Sequence, residues 1–363
     1  MKILRTYVLK EHLAPFAVTV SGFTAVMLIG NVIKLAELVI TKGVSPLDVV
    51  RLLIDLIPYM LSFTVPIAAL MAIVMAFGRL GTDYELIAMR ASGIPPARLI
   101  TPLLLTACLI SGGMVLLNDR VVPASHLAFR RQLKAIGIKH PTAYIEEGTF
   151  IKEFAPYIMF VYHVEGKLLY NVRIYEPQPN GPTRTIVANR GEFEPLKDER
   201  TLHLDLFDGT VDQWDPEHPG SFYKVSFEKY ALHIATGDDA DRRFGKKLKE
   251  MTVRELHRER ERLAAESIDP LPITLQLHER IASSFATVVF ALFGLSLGLG
   301  SHHHERLTIF VWVLGFSIAY YLASIGTNAI ALKGWMPVWL VMWLPNLAAG
   351  AFGALRLQRT LHH

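Results

Sequence analysis

Long runs of apolar residues occupy two parts of the chain, before residue 120 and after residue 270. Six of these runs contain no charged side chain and are long enough to cross about 30 Å of hydrocarbon, which takes about 20 helical residues. They are Leu13–Ile33, Leu56–Gly78, Leu99–Asn118, Ile281–Ser301, Leu307–Leu332 and Gly334–Leu355. Because helices satisfy their own backbone hydrogen bonds in lipid, the pattern predicts six transmembrane helices in two groups of three.

The region between the third and fourth runs has a different pattern. After a basic stretch, His126–Lys139, which we expect to form a helical stalk, apolar and polar residues alternate with period two, as in strands. The candidate strands are Ala143–Ile151, Tyr157–Val164, Leu168–Tyr175, Arg184–Asn189, Leu202–Phe207, Val211–Trp214 and Phe222–Ile234. The segments Asn180–Pro182, Asp208–Gly209 and Pro216–Gly220 have the composition of turns. Short strands at this spacing predict an antiparallel sandwich or open barrel.

A second helical signal closes this insert. Thr252 and Glu255 have the spacing of a capping box and predict a charged helix, Val253–Glu266, that leads back to the membrane. The chain therefore divides into a first transmembrane half at residues 1–120, an inserted β-domain with helical stalks at residues 121–270, and a second transmembrane half at residues 271–363.

One short polar segment lies between the second and third apolar runs. Thr82 and Glu85 again have capping-box spacing, Gly93 suits a left-handed C-terminal cap, and two prolines follow it. These signals predict a helix at residues 82–93 that is too short to be stable alone in water. On a helical projection its apolar residues form no single stripe. That favours insertion into a groove contacted from several sides, and a mere connector between two spans is the alternative.

Lysine and arginine are distributed unequally between the two sides of the predicted membrane. With the N-terminus inside, the cytoplasmic segments hold Lys2, Arg5, Lys10, Arg79, Arg90, Arg98, Arg306, Arg356 and Arg359, and the outer loops hold Lys42, Arg51 and Lys333. The positive-inside rule therefore predicts cytoplasmic termini, a cytoplasmic helix at residues 82–93 and an insert outside, in the periplasm of a diderm bacterium.

Composition agrees with a membrane protein and excludes several other classes. The chain is 51% hydrophobic and 19% charged, and its mean hydropathy is +0.31. A net charge of +4 is too small for the dense basic face of a nucleic-acid-binding protein. The single cysteine, Cys108, excludes an intramolecular disulfide. The first apolar run is too long for a signal peptide and no cleavage motif follows it, so we expect a retained first span.

Motifs for catalysis and metal binding are missing. No phosphate-binding G-x-x-x-x-G-K-[ST] loop occurs, and His278-Glu279 lacks the second histidine of a zincin because Ala282 occupies that position. The segment His302–Glu305 has the composition of a solvated turn rather than a metal site. We therefore expect no catalytic residue, no metal and no cofactor on this chain. Within the spans, Asn31, Asn328 and Asn346 suit helix–helix hydrogen bonds better than a polar cavity.

Two lysines after the first run are candidates for lipid binding. Lys34 and Lys42 lie near the predicted outer membrane surface, where they could contact the phosphate of an anionic lipid. The alternative for Lys34 is an interfacial lysine that extends towards water or pairs with Glu37.

The segment F-G-R-L-G-T-D-Y-E-L-I-A-M-R-A-S-G, with six spans and a β-rich insert after the third, resembles the LptF/LptG permease family. The resemblance covers essentially the whole chain, and its most specific part is E-L-I-A-M-R-A-S-G at Glu85–Gly93. The segments Ala36–Val44 and Ser226–Leu232 resemble the F-type subunit more than the G-type, whereas Lys34 also suits the G-type.

This resemblance implies a non-catalytic permease subunit of an ABC transporter in the bacterial inner membrane. Its partners would be an LptG-type (or LptF-type) permease, an LptB-type ATPase dimer that uses ATP and Mg²⁺, LptC-type and LptA-type periplasmic proteins, and lipopolysaccharide. The insert would be a periplasmic β-jellyroll, and spans one and five would form gates. The residues implied to couple to the ATPase are Thr82, Asp83, Tyr84, Glu85, Leu86, Met89, Arg90 and Gly93.

Two other functions remain open at the level of sequence. A membrane scaffold or sensor with a ligand-binding β-domain would need no ATPase, and its short cytoplasmic helix would be incidental. Lipoprotein export by a related system is disfavoured, because those permeases usually have four spans.

Overall fold

The computed structural model describes residues 2–40, 43–95, 97–139, 145, 147–151, 156–166, 168–178, 181–194, 201–214, 222–235, 246–300 and 306–362. Its helices are α1 (Lys2–Ile40), α2 (Pro46–Thr82), α3 (Glu85–Ala91), α4 (Ala97–Leu116), α5 (Val122–Lys139), α6 (Val253–Ala265), α7 (Leu271–Gly300), α8 (Arg306–Leu332) and α9 (Val338–His362). A short segment of π-helix, Leu117–Val121, which we call the π-turn, joins α4 to α5 without a break. Among the described residues, six helical segments are long and apolar enough to cross a membrane, which confirms the six predicted spans.

The chain forms two compact units. The helical unit comprises residues 1–30, 55–126 and 247–363, and the sheet unit comprises residues 31–54 and 127–246.

Helices α2 and α7 form the centre of the helical unit. In the most apolar 18-residue stretch of each helix, 67% of the residues of α2 and 72% of those of α7 are buried, against 6% for α1, 22% for α8 and 28% for α9. Two glycines of α7 allow the close approach: a Cβ atom on Gly298 would lie 2.8 Å from Cβ of Phe77, and one on Gly294 would lie 3.1 Å from the carbonyl oxygen of Leu70. Small residues one helical turn apart are a common means of close helix packing in membranes.

Buried polar side chains link the spans. The Tyr320 hydroxyl donates to Oδ1 of Asn346 at 2.7 Å, and Nδ2 of Asn346 donates to the carbonyl of Ala282 at 2.7 Å. Asn346 therefore makes the predicted helix–helix hydrogen bonds. At the π-turn, Asn118 accepts from Ser62 at 2.6 Å and donates to Ser284 at 2.9 Å, so three helical segments meet at one amide.

The capping box that begins α6 is confirmed. The Glu255 amide donates to the Thr252 hydroxyl at 3.3 Å, and the Thr252 amide donates to Oε2 of Glu255 at 2.8 Å. Asp119, in the π-turn, accepts a further bond from the Val253 amide at 2.7 Å. The first turn of α6 is thus held both by its own cap and by the end of the third span.

The sheet unit contains the predicted antiparallel sheet, whose strands lie in the part of the sequence between the third and fourth spans. In the described part of the insert, six strands pair in chain order: β1 (Phe150–Ile151), β2 (Ile158–Glu165), β3 (Leu168–Gln178), β4 (Gly181–Glu194), β5 (Thr201–Trp214) and β6 (Phe222–Ala235). Their inward side chains form one apolar core that includes Met159, Val161, Leu169, Ile174, Ile186, Leu204, Leu206 and Ile234. The predicted turn at Pro216–Gly220 lies outside the described residues.

The turn predicted at Asp208–Gly209 is wrong. Both residues lie inside β5, and the pairing with β6 continues across them, from Phe207 opposite Lys229 to Gly209 opposite Phe227. Asp208 has a positive φ of 51°. This conformation shifts the alternation by one residue, so Leu206 and Val211, five positions apart, are both buried. The two short strands predicted here are therefore one strand.

Candidate functional site

The short polar segment between the second and third spans forms a corner of the helical unit. Helix α2 ends at Thr82, and α3 begins at Glu85 after Tyr84, which has a positive φ of 57°. The predicted capping box at Thr82 is wrong. The Thr82 hydroxyl instead donates to the carbonyls of Gly78 and Arg79, both at 2.9 Å, because Thr82 still belongs to the last turn of α2.

The predicted end of this helix is confirmed. Gly93 has a φ of +74°, and the Ile94 amide donates to the Met89 carbonyl, five residues earlier, at 3.1 Å. This bond and the left-handed glycine are the features of a Schellman cap. Because it begins three residues later and its last helical residue is Ala91, α3 has seven residues rather than the twelve predicted at 82–93.

The inner face of α3 is anchored in the core of the helical unit. Leu86 is only 5% exposed, and Met89 packs beside it. They belong to an apolar cluster with Val8, Ile73, Phe77, Leu80, Leu99, Ile100, Leu103, Leu295, Leu299 and Leu357. A seven-residue helix has little stability of its own, so this burial holds α3 in place.

The outer face of α3 is an exposed apolar stripe. Tyr84 is 68% exposed and Ile87 is 51% exposed, and Ala88 and Ala91 are exposed beside them. Within α3, Ile87, Ala88 and Ala91 are spaced by three and four residues, which places them on one side of the helix. Tyr84 lies directly before the first residue of α3, and these four residues are the exposed stripe. The predicted distribution of apolar residues over more than one side of the helix is confirmed, because Leu86 and Met89 pack in the protein's own core whereas Ile87 lies on an exposed side. A groove that contacts this helix from several sides stays a prediction.

Two polar contacts connect this corner to the start of α1. The Tyr7 hydroxyl lies 3.0 Å and 2.9 Å from the two carboxylate oxygens of Glu85. Arg79 donates to Oε1 of Glu11 at 2.5 Å, and its Nε lies 3.6 Å from Oδ2 of Asp83. Tyr7 and Glu85 are 78 positions apart, so no local motif could have indicated this contact.

The other predicted site residues are less informative. Arg90 lies in α3, but its side chain is outside what the structure describes, as are Lys42 and the segment 302–305. Lys34 is exposed about two turns before the end of α1, and within the described part of the chain no ion pair joins it to Glu37. Among the described residues, no group of three or more His, Cys, Asp or Glu side chains is arranged to hold a metal ion.

Comparison with known proteins identifies the family. The family model of the lipopolysaccharide export system permease LptF/LptG matches residues 6–359, nearly the whole chain. The chain belongs to the LptF/LptG family. The matched range includes all six spans, the inserted sheet and α3. The family model covers both subunit types, so the F-type or G-type identity stays a prediction.

One curated relative also matches this LptF/LptG-family chain. It is an uncharacterized protein, RP871, of Rickettsia prowazekii, which is 21% identical over 235 residues. The alignment covers 64% of this chain and 64% of that protein.

Proposed function

We propose that this permease subunit works with a second LptF/LptG-type subunit to extract lipopolysaccharide from the bacterial inner membrane. A separate LptB-type ATPase dimer supplies the energy from ATP and Mg²⁺, and LptC-type and LptA-type proteins receive the lipid in the periplasm. Membership of the family and the six spans with an inserted sheet support this proposal. In this arrangement both termini and α3 face the cytoplasm, and the sheet unit faces the periplasm.

The exposed stripe of α3 is the observation that carries the proposal. Its inner face is fixed by Leu86 and Met89, so Tyr84 and Ile87 are presented to solvent from a rigid base. Moving a side chain of this size fully out of water contributes about 1.5–3 kcal/mol, and aromatic anchors in pockets dominate many interfaces. Tyr84 and Ile87 therefore contact a groove of the ATPase. Thr82 ends α2 and Asp83 follows it in the connection to α3, and Gly93 caps the other end of α3.

Charge insertion on this stripe tests the docking site. In Ile87→Glu and Tyr84→Glu, we expect at least a tenfold loss of ATPase co-purification, because a carboxylate cannot enter an apolar groove without a partner. The thermal stability of the permease should change little, since both side chains are exposed. Tyr162→Glu is the matched control, because Tyr162 is 50% exposed on β2. Normal ATPase capture by both α3 variants would contradict the proposal.

Exposed apolar surfaces on α1, α8 and α9 support a cavity shared with the second permease. Val26 of α1, Trp312 and Leu322 of α8 and Phe352 of α9 are all more than half exposed. In a membrane these faces contact lipid or another subunit. The family resemblance implies that the first and fifth spans form the gates. In this chain these spans are α1 and α8, which are among the least buried of its spans.

Lys34 and Lys42 bind lipid phosphate in this proposal. We expect Lys34→Glu to weaken photo-crosslinking to lipopolysaccharide at least fivefold, and Lys34→Arg to retain it, because a phosphate requires a cation rather than a lysine specifically. Equal crosslinking by wild type and Lys34→Glu would leave Lys34 as an interfacial lysine with no role in binding.

A further inference from the structure

Helix α1 is anchored at one end and largely unpacked beyond it. In its first turns Val8 is fully buried and His12 is only 4% exposed, whereas Val18 and Val26 are 72% and 66% exposed. We call residues 2–14 the anchor of α1 and residues 16–30 its arm. A hydrogen bond between the Thr24 and Thr64 hydroxyls, whose oxygens are 3.1 Å apart, connects the arm to α2. The arm can therefore change its tilt without breaking a large apolar core.

A proline lies where the anchor meets the arm. Pro15 is inside α1 and has no amide hydrogen, so it cannot donate to the carbonyl of Glu11. Its ring also crowds the preceding turn, which makes such positions frequent sites of helix bending. The Thr19 hydroxyl donates to the Pro15 carbonyl at 2.6 Å, and back-bonds of this kind often accompany helix bending. Pro15 is thus placed to act as a hinge.

The anchor is tied to α3 and to the end of α2 by three kinds of contact. Tyr7 donates to the Glu85 carboxylate, Glu11 accepts from Arg79, and Val8 shares an apolar cluster with Leu86. The polar contacts are exposed, and exposed ion pairs contribute little to stability because water screens them. Their role in holding the fold is therefore small compared with the packing of Leu86. They are better suited to transmitting a displacement of α3 to the anchor.

We propose that the Tyr7–Glu85 and Glu11–Arg79 contacts make the anchor of α1 move with α3, so that the ATPase sets the tilt of the arm about Pro15. This inference rests on the proposed function, in which α3 is the docking element and α1 is a gate. Tyr7 and Glu11 are positioning residues: they do not belong to the exposed stripe and do not contact the ATPase. They determine how far a movement of α3 reaches the first span.

The test uses the intact complex of both permeases and the ATPase in lipid nanodiscs. Tyr7→Phe removes only the hydroxyl, and Glu11→Gln removes only the charge. For each we expect unchanged ATPase capture and retained ATP hydrolysis, with at least a fivefold fall in lipopolysaccharide released per ATP hydrolysed. Tyr162→Phe, a tyrosine on the exposed side of the sheet, is the matched control and should behave as wild type.

A distance measurement separates coupling from a purely structural role. Spin labels at Val26→Cys in the arm and Met75→Cys in α2, with Cys108→Ser, report the tilt, because Val26 and Met75 are 66% and 46% exposed. We expect an ATP-dependent change in the wild-type distance distribution that is lost in Tyr7→Phe.

The outcomes distinguish this inference from the proposed function. A Tyr7→Phe complex with wild-type transport per ATP and a wild-type distance change overturns the inference. Reduced ATPase capture by Tyr7→Phe also overturns it, because Tyr7 would then belong to the docking surface. If wild-type permease does not bind the ATPase at all, the proposed function itself fails.

Discussion

Two adjacent residues of α3, Leu86 and Ile87, allow the anchoring face and the docking face to be tested separately. They have the same size, but Leu86 is 5% exposed and Ile87 is 51% exposed. Truncation to alanine should therefore affect mainly the anchoring of α3 at position 86 and mainly the binding of the ATPase at position 87. Leu86→Ala should release α3 from the core, whereas Ile87→Ala should weaken the contact with the ATPase.

The expected magnitudes follow from burial. Removal of a buried leucine side chain costs about 2–5 kcal/mol, and 1.4 kcal/mol corresponds to a tenfold change in an equilibrium constant. The opening equilibrium of α3 in Leu86→Ala should thus rise by at least about 30-fold. Ile87→Ala should cost less than about 1.5 kcal/mol of the free energy that holds α3 in place, because only about half of the Ile87 side chain is buried. The higher helix propensity of alanine offsets part of that loss. The opening equilibrium of α3 in Ile87→Ala should change by less than about tenfold.

Hydrogen–deuterium exchange of the residues 85–92 amides in the purified permease measures this opening directly. ATPase capture, measured on the same preparations, should fall about tenfold for Ile87→Ala, which corresponds to about 1.4 kcal/mol of lost apolar contact. Exchange in the sheet unit serves as an internal control, because neither substitution touches it.

The reasoning is wrong if Leu86→Ala leaves the exchange of α3 unchanged, since the helix would then be held by something other than this cluster. It is also wrong if Ile87→Ala speeds exchange as much as Leu86→Ala, because the exposed stripe would then be part of the fold.

Three further predictions concern the framework of the protein. Gly298→Val should lower the midpoint of thermal unfolding and cost about 1–3 kcal/mol by overpacking against Phe77, whereas Gly315→Val, with no atom within 4 Å of its Cβ position, should be tolerated. Gly209→Ala should make the inserted sheet sensitive to limited proteolysis, because the new Cβ would lie 2.3 Å from the carbonyl oxygen of Val187; intact resistance would show that the strand can shift. Thr252→Ala should cost about 1 kcal/mol and speed amide exchange in the first turn of α6 alone.

Several features of the fold could be predicted because their causes are local. A run of about 20 uncharged apolar residues is sufficient to specify a membrane span, whatever lies beside it. The Gly93 cap and the Thr252 capping box were also predicted, since each is completed within six residues of chain. In these cases the atoms that satisfy one another are neighbours in sequence.

The errors arose where a local pattern had two possible outcomes. Thr82 and Glu85 have the spacing of a cap, but α2 continues to Thr82 and its own carbonyls accept the hydroxyl. Asp208–Gly209 has the composition of a turn, but the pairing of Phe207 and Gly209 with both β4 and β6 keeps the pair within β5, although Asp208 has a positive φ. In each case a neighbouring element decided between two locally acceptable conformations.

The candidate site shows the same division between local and tertiary causes. Amino-acid order alone specified a short capped helix between two spans and its family-like residues. Which of its faces is free could be decided only by packing, because Leu86 and Ile87 are equally apolar and differ only in what surrounds them. The contact of Tyr7 with Glu85 also required the folded chain, since it joins residues from two helices that are far apart in sequence. Apolar content determines that a segment enters the membrane, whereas the arrangement of the helices determines which of its side chains remain available to a partner.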